Sequence, residues 1–241
     1  MCDIFFSDKD VKEYLVIHPE AIQCWMDKSH FYDYFVKRLI DFVLALFLSI
    51  ILLPFFATIA LAIKLTSSGP VFYRGIRGAY GGGEFRIFKF RSMVVNAEQF
   101  GGGTTALNDS RITRLGTFLR KTKLDETPQL FNILVGDMSF VGPRPELLKY
   151  TKMYRGAEKL ILQVRPGITD VSSLAFISLD EVVGGTNADE IYERLVLKRK
   201  NLLRIGYVLF QSPMLDTKLF CLTVWQVIGK FYNITFKRNG E

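Results

Sequence analysis

Leu39–Leu65 reads LIDFVLALFLSIILLPFFATIALAIKL, and between Phe42 and Ile63 its only polar side chains are Ser49 and Thr58. About 22 residues at 1.5 Å each make roughly 33 Å of helix, enough to cover the hydrocarbon core of a bilayer. The stretch is therefore a membrane segment. Pro54 lies near its middle, where a missing N–H and a crowding ring break or bend a helix. Lys37 and Arg38 stand before the segment and Lys64 near its end. Positive charge at the leader end disfavours export of that end, and carbonyls freed beside Pro54 need protein or water. A break there would let the segment enter and return on one face as a helix-break-helix, rather than cross. Three regions follow: a leader of unknown role over 1–34, the membrane segment over 35–65 and a larger domain over 66–241.

Composition agrees with an apolar, anion-seeking protein. Of 241 residues, 49% are hydrophobic and 21 are Phe, with a formal net charge of +7. Met1–Arg38 holds 5 basic and 7 acidic residues, so the excess of positive charge lies beyond the leader. Lipid headgroups, nucleotide phosphates and nucleic acid all suit that sign. No nucleic-acid reader motif with interleaved aromatics is present, which argues against nucleic acid. Cys2, Cys24 and Cys221 form no CxxC pair or disulfide framework and read as reduced thiols. His18 and His30, the only histidines, both precede the segment, so a histidine metal site or Ser-His-Asp triad is not expected.

After the segment, Val71–Tyr73 and Phe85–Phe90 predict two short strands turning at Gly81-Gly82-Gly83. Residues 94–110 read as a short helix and a glycine-rich loop. Leu115–Arg120 reads as a helix, and the sequence then continues RKTKLDETPQLFNILVGDMSFVGPRPE from Arg120 to Glu146. Pro128 and Gly136 bracket a short helix, since Pro suits a helix start and Gly the left-handed turn that ends one. Asp125 and Glu126 thus stand at a helix N-terminus among Arg120, Lys121, Lys123 and Arg144. Such a terminus attracts phosphate, and acids beside phosphate-binding groups point to phosphoryl chemistry. An Asp-Glu pair alone is more often a solvated cap. Arg144 between Pro143 and Pro145 is a rigid mount that a solvated Arg does not need.

Residues 147–164 predict an amphipathic helix and Arg165–Thr169 a turn. Asp189–Tyr207 predicts a basic amphipathic helix, docked either at the membrane interface or on the protein's own core. Leu215–Phe231 reads as a further amphipathic or buried helix rather than a second span. The fold class expected is α-rich α+β: a monotopic membrane protein with a re-entrant helix, interfacial helices and one small β-hairpin.

The order of KRLIDFVLALFLS, SSGPVFYRGIRG, FRIFKFRSM, DSRITRLGTFLRKTKLDETPQLFNILVGDMSFVGPRPE and RPGIT resembles the bacterial sugar transferase family, the monotopic phosphoglycosyl transferases. The likeness is close over Arg38–Thr169 and looser beyond. It implies transfer of a phosphosugar from a nucleoside diphosphate sugar, usually a UDP-sugar, to polyprenol phosphate at the cytoplasmic face of the bacterial inner membrane. Such a transfer initiates glycan assembly. Asp125 matches the family's nucleophile, which forms an acyl phosphate. Glu126 shares the metal or assists the acceptor's proton, with Mg²⁺ on Asp125 and Glu126. Arg144 is assigned to phosphate, with Arg91, Arg111, Arg120 and Gln129 as further substrate-binding candidates. Membrane lipids are expected partners, and the resemblance leaves room for a homodimer. The chain departs from the pattern where Leu53-Pro54 stands for Ser-Pro and where Thr169-Asp170 stands for Thr-Gly. A membrane-anchored binding module without turnover is the alternative reading.

Overall fold

The computed structural model describes residues 6–27, 30–97, 109–176 and 188–236. The glycine-rich part of 94–110 and Cys2 lie outside them. Helix-rich throughout, the protein is arranged around α3, Lys37–Thr66, a 30-residue helix that a π turn at Tyr32–Val36 leads into. The helical hydrogen-bonding pattern runs through Pro54. The expected break therefore does not divide the helix, although Pro54 has no N–H to offer the Ile50 carbonyl.

Lys37, Asp41, Ala45, Ser49, Phe56, Ile59 and Ile63 are the buried residues of α3. Their spacing of fours, then a gap and threes and fours, marks one helical stripe. Leu39, Val43, Phe47, Ile50 and Leu53 on other faces are exposed. By length and composition Tyr32–Thr66 can cross a membrane, and only 22% of its most apolar window is buried. The remaining apolar surface is far more than water tolerates on one helix.

Both ends of α3 grip the same folded body. At the start, Lys37 Nζ meets Asp216 Oδ2 at 2.5 Å, and Arg38 donates to the carbonyls of Ile133 and Leu134 at 2.5 and 2.9 Å. The Phe140 N–H reaches Asp41 Oδ1 at 3.2 Å. Beyond Pro54, the Phe56 ring lies edge-on to Phe90 and Phe131, with centroids 5.7 and 5.8 Å away.

The hairpin forms as two short antiparallel ladders. Strand β1 (Phe72–Tyr73) pairs with β4 (Lys89–Phe90), and β2 (Ile76–Gly78) pairs with β3 (Glu84–Arg86). A 3₁₀ turn at Tyr80–Gly82 closes it. Helix α4, Arg114–Lys121, is capped by the Thr113 hydroxyl accepting from Gly116 N. Helix α5, Gln129–Val135, ends at Gly136, whose φ of 96° lies in the left-handed region where a side chain is costly. Asn132 in α5 staples the hairpin down: its Oδ1 accepts from Phe88 N at 2.8 Å and its Nδ2 donates to Arg86 O at 2.9 Å.

Two expectations are corrected here. Gly167–Thr169 is no turn but strand β6, parallel to β5, Ser139–Val141. A Cβ on Gly167 would lie 2.1 Å from the Gly142 nitrogen, so both glycines exist to let two backbones touch. Residues 147–164 form no single helix. They hold α6, Leu148–Thr151, and a 3₁₀ stretch at Gly156–Gln163.

After the short α7, Val171–Ala175, a helical lead-in over 188–196 enters α8, Leu197–Phe210. The tail's basic helix docks on the protein's own core rather than outward, because Lys200 and Arg204 are buried. Helix α9 spans Pro213–Phe236. The leader folds as α1, Asp8–Ile17, and α2, Ala21–Asp27, with Val11 fully buried against α8 at Gly206.

Candidate active site

Asp125 and Glu126 sit in a 3₁₀ turn, Leu124–Glu126, that runs straight into α5. Lys123 enters it in the left-handed region at φ 60°. The two carboxylates are neighbours in sequence but face different surroundings. Glu126 Oε1 accepts from Lys89 Nζ at 2.8 Å and from Arg144 Nη2 in a shorter contact. Asp125 is buried, and among the described residues its Oδ1 has no hydrogen-bond partner.

Their acidities diverge accordingly. Burial, and then the charge on Glu126, push the Asp125 carboxyl up to about 6. For Glu126, burial also favours the proton, but Arg144 and then Lys89 outweigh it and hold the group well below the usual range. Burial pulls Lys89 down against the attraction of Glu126, whereas for Arg144 the pull of Glu126 overcomes burial and raises it. At neutral pH the turn thus carries a neutralised carboxylate beside an ionised one without a hydrogen-bonded cation. The second keeps its charge free of a direct ion pair.

Arg144 projects from the segment after β5. Its Nη1 donates to Ile168 O at 2.9 Å, while Pro143 accepts from Gly167 N at 3.0 Å. Proline on either side fixes the loop, so Pro143 and Pro145 serve the site by holding Arg144. Gln129 lies one turn beyond Asp125 on the same face, buried, with both amide atoms unpartnered among the described residues. Arg120, in the last turn of α4, acts on Asp125 through its charge.

The other two arginines are engaged elsewhere. Arg111 grips Asp109, with Nε to Oδ1 at 2.9 Å and Nη2 to Oδ2 at 2.6 Å, and also donates to Ala97 O. Arg91 donates to the Ser67 carbonyl and hydroxyl at 2.9 and 2.6 Å, at the end of α3. Lys89 is the residue that sequence reasoning missed. Its signal was available: on an extended strand it alternates with Phe88 and Phe90, so its side chain leaves the apolar face.

Among the described residues no cluster of three or more His, Cys, Asp or Glu is placed to hold a metal ion. Among the carboxylates of the turn, the unpartnered buried oxygen is Asp125 Oδ1, beside a Glu126 whose two cations both meet Oε1. That donor set fits an ion that takes one or two carboxylates and completes its shell with phosphate oxygens and water.

The fold and the site define a helix-rich protein with one long apolar helix and a cation-ringed acid pair at the start of a short helix. The family model for the bacterial sugar transferases matches residues 32–230, and the chain belongs to that family. It is 40% identical over 210 residues to the UDP-glucose:undecaprenyl-phosphate glucose-1-phosphate transferase of Xanthomonas campestris pv. campestris, covering 82% of this chain and 40% of that one. The Escherichia coli (strain K12) protein of the same name is 37% identical over 194 residues, with 79% and 40% covered. The UDP-N-acetylgalactosamine-undecaprenyl-phosphate N-acetylgalactosaminephosphotransferase of Aeromonas hydrophila is 41% identical over 138 residues, with 56% and 33% covered. The match thus spans about two fifths or less of the length of each of these relatives.

Proposed function

We propose that the protein is a phosphoglycosyl transferase that moves a sugar 1-phosphate from a UDP-sugar to polyprenol phosphate through an aspartyl intermediate. The observation that carries this reading is the asymmetry of the acid pair: Asp125 is buried, unpartnered at Oδ1 and shifted to about 6, while Glu126 holds Lys89 and Arg144. In the first step an Asp125 oxygen attacks the phosphorus that bears the sugar. The P–O bond to the nucleotide breaks, and UMP leaves with the bridging oxygen and its electron pair. An oxygen of polyprenol phosphate then attacks the same phosphorus, the acyl phosphate bond breaks, and the Asp125 carboxylate returns.

Lys89 and Arg144 supply positive charge where the transferred phosphoryl group must sit, and Glu126 keeps the two cations in place between turnovers. Mg²⁺, held by Asp125 and Glu126, would neutralise diphosphate charge. The relatives act on glucose and on N-acetylgalactosamine, so the sugar here is one of that kind.

The site belongs at the cytoplasmic face of the inner membrane, with α3 entering and returning on one side. A straight helix of 30 residues is about 45 Å long. Crossing would carry one of its gripped ends to the far side of the bilayer, yet Arg38 and Phe56 both meet α5. Bending near Pro54 satisfies both contacts.

The test is nucleotide release by membranes containing the full chain, given polyprenol phosphate and UDP-glucose or UDP-N-acetylgalactosamine. UMP is expected. UDP would mean transfer of the sugar alone, and no release across a wider nucleotide-sugar panel would mean a binding module.

A further inference from the structure

Pro143-Arg144-Pro145 has one backbone N–H between Gly142 and Glu146, that of Arg144, because proline has none. The N–H goes to Asp170 Oδ2 at 3.2 Å. Asp170 is fully buried just after β6. Its Oδ1 accepts from Ser173 N at 2.6 Å, capping α7, and its Oδ2 also accepts from the Ser172 hydroxyl at 2.8 Å. Arg204 Nε, itself buried, stands 3.7 Å from Oδ2, while Arg204 Nη2 donates to Glu146 Oε1 at 2.7 Å.

A helix cap needs one oxygen, which Ser or Thr would supply as well as Asp. The second oxygen is turned to Arg144. Burying a full carboxylate costs several kcal/mol unless cations and donors surround it, so a cap alone does not account for Asp here. Gly142, Arg144 and Glu146, alternate residues of the loop, are anchored in turn by Thr169 O, Asp170 and Arg204. The guanidinium of Arg144 has two remaining contacts, Ile168 O and Glu126.

We propose that Asp170 is a positioning residue: it fixes the backbone of Arg144 so that its guanidinium bears on Glu126 and on the transferred phosphoryl group, with Arg204 and Glu146 bracing it from α8. The activity half of this proposal rests on the phosphoglycosyl reading; the geometric half does not.

Asp170→Ser separates the two roles, since its hydroxyl keeps the α7 cap and leaves the Arg144 N–H without an acceptor. With polyprenol phosphate and whichever of the two UDP-sugars the parent uses, UMP release should fall about tenfold or more in kcat, as expected for one lost buried hydrogen bond amplified through the Arg144 fork. Asp170→Glu, which keeps an acceptor, should recover part of the rate. Parent-like kcat in the Ser variant, or no recovery in the Glu variant, would make Asp170 only a cap.

A thermal-unfolding cycle with Glu126→Gln needs no activity. If Asp170 acts through Arg144 on Glu126, Asp170→Ser should cost clearly less stability in the Glu126→Gln background than in the parent. Additive losses would overturn the proposal whatever the enzyme does. Absence of UMP release from the parent would instead refute the function and leave this cycle as the deciding measurement.

Discussion

Asp125→Asn should abolish transfer and at the same time make the protein more stable. The carboxyl is shifted from 3.8 to about 6, mainly by burial. A raised carboxyl pKa means that the folded state holds the proton more tightly than the unfolded chain. The folded state is therefore penalised once the group ionises. The penalty is absent below pH 4, grows between pH 4 and 6 and is constant above. At 1.36 kcal/mol per unit it comes to about 3 kcal/mol at pH 8 and roughly half of that at pH 5. Asn keeps the shape without the charge, so the variant escapes the penalty. For a chain of this length each kcal/mol is worth about 2–4 °C, which predicts a Tm gain of roughly 6–12 °C at pH 8 and about half as much at pH 5. The full chain in detergent micelles, followed by Trp fluorescence on heating, gives the comparison directly. UMP release should meanwhile drop by orders of magnitude, and sugar-phosphate labelling of the protein should vanish. An Asn variant less stable than the parent at pH 8, or a gain that does not shrink toward pH 5, would refute the reasoning about Asp125's environment. Robust turnover would refute its role as nucleophile.

Arg144→Lys keeps the charge but loses the planar fork that spans Ile168 O and Glu126, so kcat/KM for the parent's UDP-sugar should fall about 30- to 150-fold, and a near-normal rate would leave the proline mount merely structural. Glu126→Gln strands Lys89 and Arg144 and should cost about 3–5 kcal/mol in chemical denaturation, while removal of its charge moves the acid limb of the pH–rate profile downward. Gly167→Ala should disrupt the β5–β6 pair, with a loss of about 3 kcal/mol or more in unfolding experiments, whereas Gly83→Ala, with no atom nearer than 3.8 Å, should be close to neutral. Cys24 and Cys221 lie before and after α3 and are both exposed, so a membrane-impermeant maleimide should label neither in intact cells and both in opened ones; labelling of Cys24 from outside would mean a spanning helix.

What could be read from the sequence was whatever local chemistry dictates. The apolar run of α3, the hairpin turning at its glycines, and α5 between Pro128 and Gly136 all announce themselves within a few residues. Each appears where expected. What stayed hidden depends on partners distant in the chain. Gly167–Thr169 looks like a turn until Ser139–Val141 lies alongside, since parallel pairing carries no hairpin signal. Lys200 and Arg204 left it open whether their helix faces the membrane or the core, because Glu146, which draws Arg204 inside, is 58 residues away. Arg91 and Arg111 looked like further phosphate-binding candidates beside Arg144. Only three dimensions reveal that Ser67 and Asp109 have already claimed them.

The acid pair makes the same point at the scale of two residues. In sequence, Asp125 and Glu126 are two acids among many bases, and nothing local distinguishes them. Packing does so by geometry alone: the hairpin, stapled to α5 through Asn132, delivers Lys89, and the parallel pair β5–β6 delivers Arg144, both to Glu126. A carboxylate that satisfies two cations is a poor nucleophile, and a carboxylate left without them is a good one but costs the fold about 3 kcal/mol at neutral pH. The rigidity around Arg144 then has a reason beyond binding. Had its loop been free to swing, the guanidinium could settle on Asp125 as well as on Glu126, and the proposed nucleophile would be neutralised before a phosphate arrived. Two prolines and one spent N–H deny Arg144 that choice.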